Sequence, residues 1–92
     1  MMADNSTFSW ADDVSQEDLG DSIVLGDASG NHWIVLKGTA PDVWRLLDEP
    51  RTLDHLTLRL AQRYQGEDER IRSDVQLLLA RLLENGFIRR DQ

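Results

Sequence analysis

The chain contains no cysteine. That excludes disulfide staples, thiolate metal centres and a cysteine nucleophile, and it suits a reducing cytoplasm. Long apolar runs are missing as well, since no stretch approaches the roughly 20 apolar residues that cross a bilayer. The N-terminal "MMADNSTFSWADD" is acidic where a secretory signal is basic and then apolar, so a soluble, cytoplasmic protein with no membrane partner is expected. Basic residues are scarce, 10 against 17 acidic ones, giving a formal net charge of -7. A nucleic-acid surface needs clustered cations to displace counterions from phosphates, so this balance disfavours nucleic acid and fits a basic peptide better.

The means of catalysis are equally thin. The two histidines, His32 and His55, have no cysteine or HxxxH-type partner, so no metal is expected. His55 fits a helix surface, and His32 fits either a binding groove or the cap of a turn. Adjacent carboxylates such as Asp12 with Asp13 and Asp48 with Glu49 fall in terminal or connecting segments, where solvation explains them. The glycines at 20, 26, 30, 38, 66 and 86 all fall at turns or helix ends, so none builds a phosphate loop. The 92 residues suit one small domain, with no room for a second or for a deep cleft. A non-enzymatic protein without a cofactor is the expectation.

What is present is a set of well-marked elements. Residues 1–9 read as a flexible N-terminal segment and 10–90 as the domain. A weak strand is expected between Trp10 and Leu19, where "SQED" spoils the alternation. "DSIVLGDASGNHWIVL" is a clear antiparallel hairpin about "DASGN", with Ile23 and Leu25 on one face of the first arm. Ile34 and Leu36 share a face of the second arm, and Trp33 and Val35 take the other. Thr39 is placed to cap a helix with Pro41 and Asp42 in its first turn, ended by Pro50. Thr52 and Asp54 open a second helix whose stripe is Leu53, Leu56, Leu60, Ala61 and Tyr64, with Gly66 at its end. The third runs from about Asp68 to Asn85, burying Ile71, Val75, Leu78, Leu79, Leu82 and Leu83, with Gly86 to stop it. "FIRR" then leads away as a short apolar anchor with a basic tail. Strands followed by three helices make an α+β domain with one sheet face covered by helices.

Two features remain unabsorbed. On the third helix Leu77 lies outside the buried stripe, on a line with Arg70, Asp74 and Arg81. Either Arg70 and Asp74 form a plain surface pair beside an exposed leucine, or the line borders a groove. The last strand, "HWIVL", carries no proline, no charge and no bulge, yet an edge strand leaves backbone N–H and C=O groups unpaired. Another part of the chain covers it, a second copy pairs with it, or an extended peptide adds to it as a strand.

Taken in order, "IVLGDASGNHWIVLKGTAPDVWRLLDE", "RTLDHLTLRLAQRY" and "RSDVQLLLARLLENGFI" resemble the PqqD-like family over roughly residues 14 to 88. Lys37 stands where that family usually has asparagine, and "TAP" replaces its more typical "TG" step. The resemblance implies a RiPP recognition element: a winged helix-turn-helix with a three-stranded antiparallel sheet followed by three helices. Such domains bind the leader of a ribosomally made precursor peptide. It further implies that the leader adds to the third strand, His32 to Leu36, through backbone groups plus Trp33, Ile34 and Val35. On the helix side it implies Asp74, Val75 and Leu78, with Leu77 and Arg81; Arg70 joins the candidate peptide-binding residues from its place on the same helix line. The partners so implied are a precursor peptide and a maturation enzyme, with the domain a monomer. Lasso-peptide leader-binding proteins, which serve a protease and a cyclase, and the pyrroloquinoline quinone chaperone, which serves a radical enzyme, both fit. The solitary small domain and its aliphatic and aromatic strand favour the lasso type. A winged-helix DNA-binding regulator is the further alternative, ranked below these because acids interleave the third helix.

Overall fold

A computed structural model of the chain describes residues 6–91. The elements run β1 (Thr7–Trp10), β2 (Ser15–Asp18), β3 (Ile23–Gly26), β4 (Trp33–Leu36), α1 (Ala40–Leu46), β5 (Arg51–Thr52), α2 (Leu53–Arg63), α3 (Asp68–Glu84) and β6 (Ile88–Asp91). The three-stranded antiparallel sheet followed by three helices is thus present as β2-β3-β4 and α1 to α3. A second antiparallel sheet, ordered β5-β1-β6, joins the two ends of the chain.

The hairpin forms where its turn chemistry places it. Asp27 caps the turn, its carboxylate accepting from the Gly30 N–H at 2.9 Å and from the Ser29 hydroxyl at 2.7 Å, and Gly30 supplies the positive φ of 74°. These bonds, that of Ser29 foremost, hold the Asp27 carboxyl below its ordinary range. β3 and β4 pair Ile23 with Leu36, Val24 with Val35, Leu25 with Ile34 and Gly26 with Trp33. Ile23, Leu25 and Leu36 are buried under the helices, as the alternation requires.

Several helix ends follow the sequence signals; α1 stops at Leu46, short of Pro50, and Tyr64, expected on the α2 stripe, is the extended residue that follows that helix. The Thr52 side chain accepts from the His55 N–H at 3.1 Å and caps α2. α3 ends in a Schellman motif: Gly86, at φ 75°, donates to Leu83 O and Phe87 donates to Leu82 O, each at 3.0 Å. Phe87 is thereby turned into the core. Thr39 holds the capping position of α1 but makes no side-chain cap bond, because its backbone is already helical. Its carbonyl accepts from Asp42 at 3.1 Å, and Pro41 has no N–H to satisfy.

The terminal regions depart from expectation. Residues 1–5 of the segment expected to be flexible lie outside the described residues, whereas Thr7 to Ser9 belong to β1, with Phe8 and Ser9 buried between β5 and β6. "FIRR" does not lead away: Phe87 is core, and Ile88 to Asp91 return along β1. The weak strand expected across 10–19 divides at Asp13, at φ 63°, into the end of β1 and the separate β2. β2 shows no alternation because all four of its side chains are exposed. It is an edge strand held by pairing to β3 and by two links to α1. Trp44 Nε1 donates to Gln16 Oε1 at 3.1 Å, and Arg45 grips Asp18 through Nε and Nη2, each at 2.8 Å. That fork and the Gly20 N–H draw the exposed Asp18 carboxyl down to about 2, and the same pairing raises the Arg45 guanidinium.

The core gathers the inner sheet face, Val43, Trp44 and Leu47 of the α1 region, Leu56 and Leu60 of α2, and Val75, Leu79 and Leu82 of α3. Trp10 stacks on Trp44 with centroids 5.2 Å apart and donates from Nε1 to Trp44 O at 2.8 Å, tying the second sheet to α1.

Candidate functional site

Each sheet has two edges, and they are protected unequally. β2 ends one sheet and carries Glu17 and Asp18; β5 and β6 end the other and carry Arg51 and Arg89, Arg90 and Asp91. Charges of this kind discourage pairing with another strand. β4, "WIVL", ends the first sheet with no charge at all.

The hydrogen-bond phase shows which groups this edge offers. Beyond the strand ends the same ladder continues, Asp27 N donating to His32 O at 3.0 Å. Residues 32, 34 and 36 therefore direct their backbone groups to β3, and 33 and 35 direct theirs outward. The opposite side of β3 agrees: Leu19 N donates to Ser22 O at 2.8 Å, assigning residues 22, 24 and 26 to β2 and leaving 23, 25 and 27 for β4. The free edge thus presents the N–H and C=O of Trp33 and of Val35. Their side chains, 64% and 36% exposed, stand on the face away from the core.

α3 lies along this edge, held at both ends. At the start of β4, the His32 ring stacks on Phe87 with centroids 5.9 Å apart and 3° between planes. His32 Nε2 also bonds Asn85 Oδ1. Asn85 Nδ2 donates to Arg81 O at 2.7 Å, which turns its oxygen toward His32 and makes His32 Nε2 the donor. Past the other end of β4, Thr39 meets the first half of α3 across a cavity of about 240 Å3 lined by Leu60, Tyr64, Gly66, Arg70, Ile71 and Asp74 among others. β4 and α3 are therefore antiparallel neighbours. Tyr64 is fixed at the cavity wall because its hydroxyl donates to the Asp42 carboxylate, a bond that with burial pushes the phenol above its ordinary range.

At about 100° per residue, Asp74, Leu78, Arg81 and Asn85 share the helix line turned toward β4. Arg70 and Leu77 fall just outside it, and Leu77, at 71% exposure, forms the rim. Arg70, Asp74 and Arg81 make no side-chain ion pair among the described residues, so the plain Arg70–Asp74 pair is not formed.

Of the residues singled out from sequence, His32, Trp33, Ile34, Val35, Arg70, Asp74, Leu77, Leu78 and Arg81 border this edge and helix line. Leu36 and Val75, each 1% exposed, do not present side chains to it; they are core beneath it. Thr39, Tyr64, Ile71, Asn85 and Phe87 were missed as site residues. Ile71 and Tyr64 were legible only as parts of buried stripes, and the His32–Asn85 link joins positions 53 apart with no local signal. Among the described residues no group of three His, Cys, Asp or Glu side chains could hold a metal, and no helix is long and apolar enough to cross a membrane.

Residues 22–88 match the family described as Coenzyme PQQ synthesis protein D (PqqD). Two solved structures share the fold. TbiB1 in complex with the TbiA(beta) leader peptide superposes with a TM-score of 0.79, at 18% identity over 87% of this chain and 93% of that one. A lasso peptide synthetase B1 complexed with the leader peptide superposes with a TM-score of 0.77, at 22% identity over 89% of this chain and 96% of that one. No curated protein sequence matches the chain.

Proposed function

The chain belongs to the PqqD family, and from that premise we propose that it binds, without catalysis, the leader segment of a ribosomally synthesised precursor peptide and presents the precursor to a maturation enzyme. The observation that carries this is the uncharged free edge of β4 beside α3. An extended leader adds there as a fourth strand, hydrogen-bonding the backbone of Trp33 and Val35. Leader side chains on the inner side reach Ile34, Leu78 and the cavity at Thr39, Ile71 and Asp74, with Leu77 as an apolar rim. Asp74, Arg70 and Arg81 orient the leader by charge.

Tethering a precursor in this way raises the local concentration of its core segment at the partner enzyme, with no turnover by the domain itself. A lasso-type protease and cyclase are the favoured recipients, since both structural neighbours are leader-peptide complexes of that kind or of the same fold. The family description supports a second reading, delivery to a radical enzyme as in pyrroloquinoline quinone synthesis, which uses the same edge. A cytoplasmic location is part of the same proposal, since ribosomally made precursor peptides arise there.

The test is an amide NMR titration of the labelled protein with the synthetic leader of a candidate precursor, with duplex DNA as the control. Saturable shifts at residues 32–36 and 74–81 with the leader alone support the proposal. Shifts produced by DNA, with none produced by the leader, would overturn it.

A further inference from the structure

The outer face of the sheet is unusual for one turned to water. Register places Ser15, Gly26 and Trp33 in one cross-strand row and Glu17, Val24 and Val35 in the next. Each row is polar on β2 and apolar on β4, where a half-solvated sheet ordinarily alternates apolar-in with polar-out. Trp33 has no side chain opposite it on β3, because its partner there is Gly26. A Cβ at that position would lie 2.8 Å from Ser15 Oγ, so a side chain there would require Ser15 to turn aside, and with Gly26 in place a hollow of about 280 Å3 stays open beside the indole. Both rows therefore end at the free edge with an apolar residue whose next neighbour is whatever strand adds to β4.

Resting on the strand-addition reading above, we propose that this outer face is a second specificity surface. The added strand carries apolar β-branched or aromatic residues at two positions spaced i, i+2, seated beside Trp33 and Val35 on the face away from α3. The hydrogen-bond phase makes this specific. Trp33 and Val35 are the residues whose backbone groups face outward, so in an antiparallel addition the ligand residues bonded to them are also those directly opposite. Directly opposed residues have Cβ atoms about 4.5–5.5 Å apart on the same face, and apolar or aromatic pairs there are favoured. An anionic ligand residue at either position loses water against the indole or the valine and gains no partner. The intervening ligand residue, i+1, points to the α3 side and is selected independently by Ile34, Leu78 and the cavity. The ligand is thus read on both faces.

The probe is a displayed library of random dodecapeptides, selected on the wild-type protein and on Trp33→Thr/Val35→Thr, whose folding is checked by thermal melting. Wild-type selections are expected to enrich apolar residues at i and i+2 around a separately constrained i+1. The variant is expected to keep the i+1 preference and lose the other two. A wild-type-selected peptide should bind the variant more weakly by up to about fivefold for each pair removed. If selected peptides shift the amides of residues 33–36 but show no i, i+2 preference, or the same preference and affinity on the variant, the two-faced readout is wrong while strand addition stands. If no selected peptide perturbs those amides, strand addition itself fails, and this inference with it.

Discussion

Val35→Pro separates binding from folding because of the direction of one N–H. The Val35 amide points away from β3, so proline there removes no bond of the existing sheet; prolines are found on such edges for this reason. The half-exposed valine loses only its β-propensity and part of its packing, about 1 kcal/mol or less. Binding is affected more. The edge offers the N–H and C=O of two residues, and the ring removes one donor and wedges the incoming strand away from its neighbour. Each hydrogen bond is worth a net 0.5–1.5 kcal/mol, so losing one or two weakens leader affinity by about 1–3 kcal/mol, roughly 5- to 150-fold in Kd. Ile34→Pro is the control with the opposite phase. Its N–H bonds across to β3, and proline there breaks that ladder bond and leaves the acceptor unsatisfied, so the fold should lose about 1–3 kcal/mol and melt earlier. Calorimetric titration with one leader peptide, together with circular-dichroism melts, reads both effects. Unchanged affinity in a folded Val35→Pro would refute strand addition at β4, and unfolding of Val35→Pro with tolerance of Ile34→Pro would refute the assigned phase.

Three further outcomes are expected. Asp74→Ala should weaken binding of a leader containing Lys or Arg by about 0.5–1 kcal/mol, an effect lost at high salt, and Leu77→Asp should weaken it through lost apolar contact; calorimetry at two ionic strengths checks both. Leu36→Ala should destabilise the fold by about 2–5 kcal/mol in chemical denaturation, because Leu36 is core rather than ligand-facing. The Asp18 carboxyl should titrate at about 2 in the folded protein and return toward the ordinary carboxylate value of 3.8 in Arg45→Gln, followed by carboxyl carbon shifts. Since the folded value lies below the unfolded one, the Arg45 link adds stability above pH 4 or so and loses it as pH falls toward 2.

The sequence was most informative where local chemistry decides structure. Thr52 and Gly86 mark helix ends that form as their residue types demand, and "DASGN" places the hairpin turn. The alternation in "WIVL" separates Leu36, in the core, from Trp33 and Val35, on the surface. It says less where the cause is distant. β2 is held by Trp44 and Arg45, not by its own pattern, so its four polar residues give no strand signal. The β5-β1-β6 sheet joins the chain's ends, and nothing near Phe8 announces that Arg90 will lie opposite it. Leu36 and Val75 each stand one residue from an exposed position, the first along a strand and the second along a helix. A step of one reverses a strand side chain's face and turns a helical one by about 100°, which is enough to move both into the core.

Hydrogen exchange at individual amides reads strand addition at β4 residue by residue. In the free protein the amides of Trp33 and Val35 should exchange faster than those of Ile34 and Leu36, which are bonded to β3. With saturating leader peptide, Trp33 and Val35 should slow by at least about tenfold while Ile34 and Leu36 change little, the alternating signature of an added strand. A bound leader that leaves the exchange of Trp33 and Val35 unchanged would contradict the account.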